Sequence, residues 1–414
     1  MKKCQIFIFI LFSAVVSAQS TKIAVMSDIH FMSSKIAKEG EALSNYEKST
    51  GRNITVLHQV LDKTLQEIIE AKPDVLLITG DLTNHGEKQS HLDIIHKLNK
   101  LKRHDIRVMV IPGNHDINIP NAKSYDRDKI LPTQSISDKD FVKLYDDFGF
   151  KHAISRDKNS LSYLAKIDNS TWIIAFDTNL YKEYTTSSIS KGRISSATMK
   201  WALDILEDAK NKNITVIGMM HHGLIEHLPY QSVFFSDYLV EDWENNAQIL
   251  ADAGLQVVLT GHFHANDVTL YTSPSGNKLY DIETGSLATY PFPYRIIDLN
   301  NKTMNIETHF IHSVKSEPNL QEVYRLRYED IAKSSIASRV KSIGVSFPEI
   351  VNDVIVRLLT RMSLLHAAGD EKISSDTQRM IEVFARVMGD ENFEMSTFSL
   401  DYEPADNNLT IDLK

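Results

Sequence analysis

The stretch Ile23-Ala24-Val25-Met26-Ser27-Asp28-Ile29-His30 joins a short apolar run directly to two side chains that bind metals. A continuous apolar run of this length predicts a strand that is covered on both faces. Similar runs recur along the chain, at 75–79, 108–111, 172–176, 215–219 and 257–259. Amphipathic helical segments lie between them, at 55–70, 87–102, 196–210 and 240–253. This alternation, with four further strands before residue 310, predicts an α/β domain over residues 19–315.

Polar side chains follow five of these predicted strands at the point where each strand ends. They are Asp28 and His30 after the first strand, Asp81 after the second, Asn114 and His115 after the third, His221 after 215–219, and His262 and His264 after 257–259. Open α/β sheets place their ligand sites at the carboxyl ends of the strands. We therefore expect these side chains to lie close together in one site.

The donor atoms of this set suit two metal ions. The two predicted ligand sets are Asp28, His30, Asp81 and His264 for one ion, and Asp81, Asn114, His221 and His262 for the other, with Asp81 shared. The only cysteine, Cys4, precedes the predicted domain, so the ligands contain no thiolate, and Mn, Fe or Zn is favoured. Two such ions, roughly 3.5–4 Å apart, hold a bridging hydroxide and neutralise phosphate oxygens during in-line attack.

The motif series resembles that of the calcineurin-like metallophosphoesterase superfamily over about residues 22–310. The motifs that carry the resemblance are Asp28-x-His30, Gly80-Asp81, Gly113-Asn114-His115-Asp116, His221 and Gly261-His262-x-His264. The resemblance implies a four-layer αββα sandwich and the same two ligand sets. It also implies that His115 lies beside the substrate as a general acid or a donor to a phosphate oxygen. Asp116 would then either orient His115 or serve the structure of its own loop.

Three further residues near these motifs have two interpretations each. His222 either contacts the substrate and the metal ligands or is a structural histidine. His85 either points into the cleft or, as we favour, is an exposed histidine of a turn. Asp177, which ends the strand 172–176, resembles a position near the site in this family and is equally suited to cap the following turn.

Differences between this chain and the motifs of known subfamilies disfavour some activities. Purple acid phosphatases carry a tyrosine three residues after the aspartate of the second motif, where this chain has Asn84. In the 5′-nucleotidase branch the third motif continues with Phe-Asp, where this chain has Ile117-Asn118, and the C-terminal domain is larger. The tail of this chain is instead similar to that of exported bacterial cyclic-nucleotide phosphodiesterase-like members. This implies hydrolysis of phosphodiesters such as cyclic nucleotides, with a phosphomonoesterase or a lipid-headgroup phosphodiesterase as alternatives. A non-catalytic scaffold is disfavoured, since the ligands and His115 are all present.

Residues 316–414 differ in character from the rest of the chain. Three helical patterns, near 320–340, 348–367 and 376–388, precede two alternating stretches at 398–402 and 409–413. These patterns predict a small, mainly helical C-terminal domain closed by a hairpin. A packing role is favoured for it over the binding of a partner.

The first residues predict export. Lys2 and Lys3 precede an apolar run, 6–16, that is too short to span a bilayer, and small residues end at Ala18. We expect residues 1–18 to be a signal peptide, the mature protein to be periplasmic or secreted, and no stable membrane anchor. The chain carries a net charge of −9, which disfavours polymeric nucleic acid as a partner and leaves a small phosphorylated substrate. The sequence does not determine the oligomeric state.

Overall fold

The computed structural model describes residues 20–229, 231–342, 348–387, 393–395 and 399–414. The predicted signal peptide lies outside these residues. The strands are β1 Ser20–Met26, β2 Ala37–Lys38, β3 Val75–Ile78, β4 Arg107–Val110, β5 Lys123–Asp126, β6 Lys129–Pro132, β7 Ser155–Arg156, β8 Tyr163–Lys166, β9 Thr171–Phe176, β10 Thr215–Met220, β11 Val257–Thr260, β12 Asp267–Thr272, β13 Lys278–Glu283, β14 Pro293–Asn300, β15 Thr303–Phe310 and β16 Asn408–Asp412. The helices are α1 Glu41–Thr50, α2 Ile54–Ala71, α3 Lys88–Lys102, α4 Asp138–Leu144, α5 Ser196–Asn211, α6 Gln231–Phe234, α7 Trp243–Asp252, α8 Leu320–Ser342, α9 Glu349–Ala368 and α10 Ser375–Val387.

Two large sheets form the middle of the molecule. The six-stranded sheet has the order β16-β15-β14-β1-β3-β4, and β1, β3 and β4 run parallel. The seven-stranded sheet has the order β12-β13-β11-β10-β9-β8-β7, with β9, β10, β11 and β13 parallel. A small third sheet contains β2, β5 and β6. The six strands predicted from continuous apolar runs are all present, which confirms the α/β class.

Side-chain alternation along β9 shows how the layers stack. Ile173 and Ala175 belong to the central core that the two large sheets share. Trp172, Ile174 and Phe176 point the other way and pack in a second core with α5 and α7. Both faces of this strand are therefore buried, which explains its unbroken apolar sequence. Helices α2 and α3 pack against the six-stranded sheet, and the fold is the expected αββα sandwich.

The start of α2 matters for the site. Asn53 caps this helix, and its side-chain oxygen accepts a hydrogen bond of 3.0 Å from the backbone N–H of Val56. Val60, Leu61 and Ile68 of the same helix are almost fully buried against the sheet. Burial of side chains of this size stabilises the fold by roughly 1.5–3 kcal/mol each. The helix thereby fixes the loop before it, which carries Arg52.

The C-terminal part contains the three predicted helices, but the predicted hairpin is wrong. Phe398 lies outside the described residues, and 399–402 form no strand. The segment 408–412 is instead β16, which pairs antiparallel with β15 and extends the six-stranded sheet. Pairing with β15 satisfies backbone groups at the edge of that sheet and buries Ile411. Among the described helices, none has the length and apolar character needed to cross a membrane.

Candidate active site

Loops at the carboxyl ends of strands from both large sheets meet at one place. The loops after β1, β3 and β4 come from the six-stranded sheet, and those after β10 and β11 come from the seven-stranded sheet. The structure brings together all seven residues predicted as metal ligands, and each is buried except His264, whose side chain is 24% exposed. The site is therefore built across the interface of the two sheets.

A first group of donors consists of Asp28, His30 and His264. The Oδ1 atom of Asp28 lies 3.2 Å from His264 Nε2 and 3.7 Å from His30 Nε2. The two Nε2 atoms are 3.2 Å apart. The Oδ2 atom of Asp28 accepts hydrogen bonds from the Ser27 hydroxyl and the backbone N–H of His262, which fix the carboxylate in place. In the described parts of the chain Oδ1 has no hydrogen-bond partner, and it faces the two imidazoles.

A second group of donors consists of Asp81, His221 and His262. The side-chain amide oxygen of Asn114, Oδ1, lies 3.1 Å from His221 Nε2 and adds a fourth donor. The carboxylate of Asp81 lies between the two groups, because its Oδ2 is 3.6 Å from Nε2 of both His30 and His221. Its Oδ1 accepts a hydrogen bond of 2.8 Å from the backbone N–H of His115. Asp81 is thus positioned to be shared.

Three histidines of the site, His30, His221 and His262, are held in the neutral form. Burial lowers the pKa of His30 and His221, and it lowers the pKa of His262 to about 3. His221 Nδ1 donates to the Thr79 carbonyl at 2.9 Å, and His262 Nε2 donates to the Ser190 carbonyl at 2.9 Å. Each of these bonds leaves the lone pair on the opposite ring nitrogen free, which is the arrangement that metal-binding histidines use.

The backbone at the site is strained. Five of the seven residues have positive φ, in the left-handed region that non-glycine residues avoid. They are Asp28 at 49°, His30 at 43°, Asp81 at 47°, His262 at 74° and His264 at 63°. Such conformations cost about 1–3 kcal/mol each and cluster at functional sites. The sharp turns direct each side chain back toward the shared centre.

Gly113 permits the close approach of two of these loops. A β-carbon at this position would collide with Oδ1 and the backbone nitrogen of Asp81. We expect Gly113→Ala to displace Asp81 and weaken metal binding about 10- to 100-fold, the usual effect of disturbing the support of a ligand. Metal titration followed by calorimetry measures this. Gly276→Ala is the control, because its φ of 80° strains an alanine in open space far from the site; equal metal affinity in Gly113→Ala and the wild type would contradict the expectation.

His115 lies beside the two donor groups. Its ring centroid is 5.2 Å from that of His30. Its Nδ1 donates to the Asn84 carbonyl at 2.9 Å, and burial lowers its pKa well below the usual value. Without substrate the ring is therefore neutral. Asp116 does not orient it, because the Asp116 carboxylate accepts from the backbone N–H groups of Gly113, Leu82 and Thr83. Asp116 is a structural residue of the loop, the second of the two interpretations.

Three other residues can now be placed. His85 is not an exposed turn residue: it is half-buried, and its Nδ1 lies 3.3 Å from His115 Nδ1. His222 is buried behind the donors, with its ring 4.5 Å from that of His262 and its Nδ1 bonded to the Thr178 hydroxyl. Asp177 caps the turn after β9, because it accepts from the backbone N–H of Asn179. His85 lies in the site because it contacts His115, and no local sequence pattern indicates that contact.

A cavity of about 300 Å³ opens beside His264. Its walls come from the loop at 50–52, from residues between 228 and 238, and from α8 and α9. The lining is rich in aromatic side chains and includes Phe235, Tyr238, Phe263, Tyr290, Tyr324 and Tyr328. The long segments 31–54 and 223–240 contribute to this lining, whereas the described lining takes nothing from 117–160. The C-terminal helices therefore do more than cover the catalytic domain, since they form one side of this cavity.

Arg52 is a residue that sequence reasoning missed. It lines the cavity, and its Nη1 is 3.4 Å from the side-chain oxygen of Asn84. Its Nε is buried and has no hydrogen-bond partner among the described residues. Its positive charge contributes to the lowered pKa values of His30 and His115, after burial. An arginine between two helices has no motif of its own, so only the fold shows that it faces the site.

The residues present fit metal ions. Among the described residues the Asp28 Oδ1 atom accepts no hydrogen bond and faces two imidazoles, and nitrogen and oxygen lone pairs converge from both donor groups. Buried lone pairs that face one another are stabilised by a cation. The donor set of imidazole, carboxylate and amide oxygen matches the preferences of divalent first-row metals.

The chain is similar to several known proteins. A protein of Coxiella burnetii described as a probable cyclic nucleotide phosphodiesterase is 24% identical over 251 residues, covering 60% of this chain and 77% of that protein. The DNA double-strand break repair protein Mre11 of Sulfolobus acidocaldarius is 24% identical over 248 residues, covering 57% of this chain and 54% of its own. The crystal structure of a dimetal phosphatase from Danio rerio covers 70% of this chain and 96% of its own, with 11% identity and a TM-score of 0.47.

The family model described as calcineurin-like phosphoesterase matches residues 21–266, more than half of the chain. The match contains every residue of the two donor groups, and the fold and the buried histidine and aspartate donors are those of a metal-binding hydrolase. The chain therefore belongs to the calcineurin-like phosphoesterase family and is a metal-dependent phosphoester hydrolase.

Proposed function

We propose that this enzyme hydrolyses phosphodiesters with two divalent ions, of Mn, Fe or Zn, and that cyclic nucleotides are its substrates. The observation that carries the proposal is the position of Asp81, whose Oδ2 lies 3.6 Å from a histidine nitrogen of each donor group. A single carboxylate in this position is suited to hold two ions side by side. When bound, such ions activate water as the nucleophile and neutralise the oxygens of the phosphate.

The ligand sets that we propose divide the seven residues around Asp81. One ion takes Asp28, His30, Asp81 and His264, and the other takes Asp81, Asn114, His221 and His262. His115 takes no part in either set, and we assign it to the substrate. The His115 ring is neutral without substrate. We propose that the negative charge of a bound phosphate stabilises a second proton on this ring, and that His115 donates this proton to the leaving oxygen.

The cavity supports an organic substrate with a flat ring. Aromatic side chains line it, and it adjoins His264, so a ligand can place its phosphate at the donors and its base among the aromatic rings. The relative from Coxiella burnetii carries the description of a cyclic nucleotide phosphodiesterase, which favours the same substrate class. We propose that α8 and α9 supply the wall that recognises the base.

A panel of substrates tests the proposal. The Mn²⁺-loaded protein is assayed with 2′,3′- and 3′,5′-cyclic nucleotides, bis-p-nitrophenyl phosphate, p-nitrophenyl phosphate and glycerophosphocholine. We expect kcat/KM to be highest for a cyclic nucleotide. A preference for p-nitrophenyl phosphate would make the enzyme a phosphomonoesterase, and a preference for glycerophosphocholine would make it a lipid-headgroup phosphodiesterase.

Arg52 is expected to bind the phosphate of the substrate. Hydrogen bonds to charged groups contribute about 1.5–3 kcal/mol, so Arg52→Gln should raise KM for a cyclic nucleotide about 10- to 100-fold. Arg52→Lys keeps the charge and should recover part of the loss. Steady-state kinetics measure both variants, with metal content as the control for the centre. An unchanged KM in Arg52→Gln would exclude this role.

We also propose that residues 1–18 are a signal peptide and that the mature protein is exported. The basic start, the short apolar run and the small residues before Gln19 support this. N-terminal sequencing of the protein from cells is expected to begin at Gln19. A chain that retains Met1 and stays in the cytoplasm would contradict export.

A further inference from the structure

A second cluster of metal-binding side chains lies where the C-terminal part contacts the seven-stranded sheet. Asp267 begins β12, and His366 lies near the end of α9. Glu371 follows that helix, and Asp401 and Asp406 precede β16. Three of these residues, Asp267, His366 and Glu371, offer donor atoms that all lie within 4.8 Å of one another, and so do Glu371, Asp401 and Asp406. Glu371 thus belongs to both groups.

The contacts of His366 define the centre of the cluster. Its Nδ1 lies 2.7 Å from Glu371 Oε1 and 3.4 Å from Asp267 Oδ2. The other oxygen of Asp267 is already engaged, because His227 Nδ1 donates to it at 2.6 Å. Asp267 is therefore fixed by His227 on one side and presents its second oxygen to the cluster.

Buried atoms in the cluster lack partners. Asp267 is fully buried, and Glu371 and His366 are each 5% exposed. Within the part of the chain that the structure describes, Asp267 Oδ2, Glu371 Oε2 and His366 Nε2 make no hydrogen bond. A carboxylate removed from water without a partner costs several kcal/mol. The cluster contains four carboxylates and is contacted by two imidazoles, those of His366 and His227, so two protonated imidazoles balance only part of its charge.

Asp406 is held in place by the backbone. Its Oδ1 accepts from the N–H of Val268 at 2.8 Å, and its Oδ2 accepts from the N–H of Asp370. Each of these oxygens keeps a second lone pair. The buried guanidinium of Arg295 does not neutralise the Asp406 carboxylate directly, because its Nη1 donates to the backbone carbonyl of Asp406. Burial and the neighbouring Asp267 carboxylate raise the pKa of Asp406 to about 8, so a cation bound beside it would favour its ionised form.

We propose that this cluster binds a further divalent cation, separate from the dinuclear centre, with Asp267, His366 and Glu371 as its ligands. Asp401 and Asp406 lie on its far side and add negative charge. One imidazole among several carboxylates suits Mn²⁺ better than a soft metal. In the cation-bound form His366 is neutral and gives its lone pair to the ion.

The cation would join the C-terminal part to the active site. Asn266 lies two residues after His264 in the chain. Its backbone N–H donates a hydrogen bond of 3.2 Å to the His366 carbonyl. The His366 ring also contacts Phe263, with centroids 5.5 Å apart. An ion that fixes His366 therefore fixes the loop that carries His264 and the wall of the cavity that α9 forms.

Counting bound ions tests this. Equilibrium dialysis of the folded protein against Mn²⁺, followed by elemental analysis, should give three ions per chain in the wild type and two in Glu371→Gln. Asp81→Ala, in which the dinuclear centre is disrupted, should retain one ion, and Asp81→Ala with Glu371→Gln should retain one fewer than Asp81→Ala alone. Asp177→Asn removes a buried carboxylate outside the cluster and should bind as many ions as the wild type.

Two results would overturn the proposal. One is an equal number of ions in the wild type and Glu371→Gln, which would make His366 a protonated partner of its carboxylates and nothing more. The other is an equal number in Asp81→Ala and the double variant. If Glu371→Gln fails to fold, the wild-type number decides alone, because two ions instead of three leave no ion for the cluster.

Discussion

Asp81→Ala is expected to lose both ions of the dinuclear centre and to lower kcat for a diester substrate about 10³-fold or more. The Oδ2 atom of Asp81 lies 3.6 Å from a histidine nitrogen in each donor group, and neither group has another carboxylate in that position. Metal ions contribute several kcal/mol of transition-state stabilisation, and each 1.36 kcal/mol is a factor of ten in rate. Elemental analysis and steady-state kinetics measure the two effects.

A control variant distinguishes the loss of the carboxylate charge from a change in the fold. Asp81→Asn keeps the size and the hydrogen bond that Oδ1 accepts from His115. We expect it to retain the fold and to bind metal more weakly than the wild type, since an amide oxygen has no net charge. An ion content equal to the wild type in Asp81→Ala would show that Asp81 is not shared between two ions.

His115→Ala is expected to lower kcat about 10²- to 10⁴-fold while the ion content stays that of the wild type. The magnitude is that of general acid catalysis. The hydrogen bond that His115 donates to the metal donor Asp81 comes from its backbone N–H, and an alanine keeps that group. The rate and the metal content therefore respond separately, and both are measured on the same preparation.

The leaving group distinguishes an acid from a residue that only shapes the site. p-Nitrophenolate leaves without a proton, whereas a ribose alkoxide needs one. His115→Ala should therefore impair hydrolysis of a cyclic nucleotide much more than that of bis-p-nitrophenyl phosphate. His104→Ala, in the exposed turn that follows α3, is the matched control. Equal losses on both substrates would exclude proton donation, and loss of the metals would place His115 among their ligands.

Much of the site was predictable because its residues follow their strands directly. Asp28 and His30 come within four residues of Met26, and Asp81 comes three residues after Ile78. The carboxyl ends of parallel strands lie at one edge of a sheet, so local order along the chain already indicates proximity. The two large sheets face each other across one core, which brings the loops after β10 and β11 to the same place.

The errors concern contacts between distant segments. His85 reads as a turn histidine because its neighbours are polar, but the loop folds against His115. Asp116 follows His115 in sequence, yet its carboxylate turns to the backbone of Leu82 and Thr83. The segment 408–412 alternates like one arm of a hairpin, and alternation does not specify its partner, which is β15. The positions of His85, Asp116 and the segment 408–412 therefore depend on contacts with residues that are distant in the chain or turned toward other backbone groups.

The sequence by itself determined the strands, the donor residues after them and the class of chemistry. The apolar run Ile23–Met26 ends at Asp28 and His30, and covalent connection alone places these donors at a strand end. Only the tertiary structure decided that Arg52 and the C-terminal helices face the same centre, and that His366 and Glu371 meet Asp267. The physical reason is that these contacts join segments far apart in the chain, and packing, rather than local pattern, selects them.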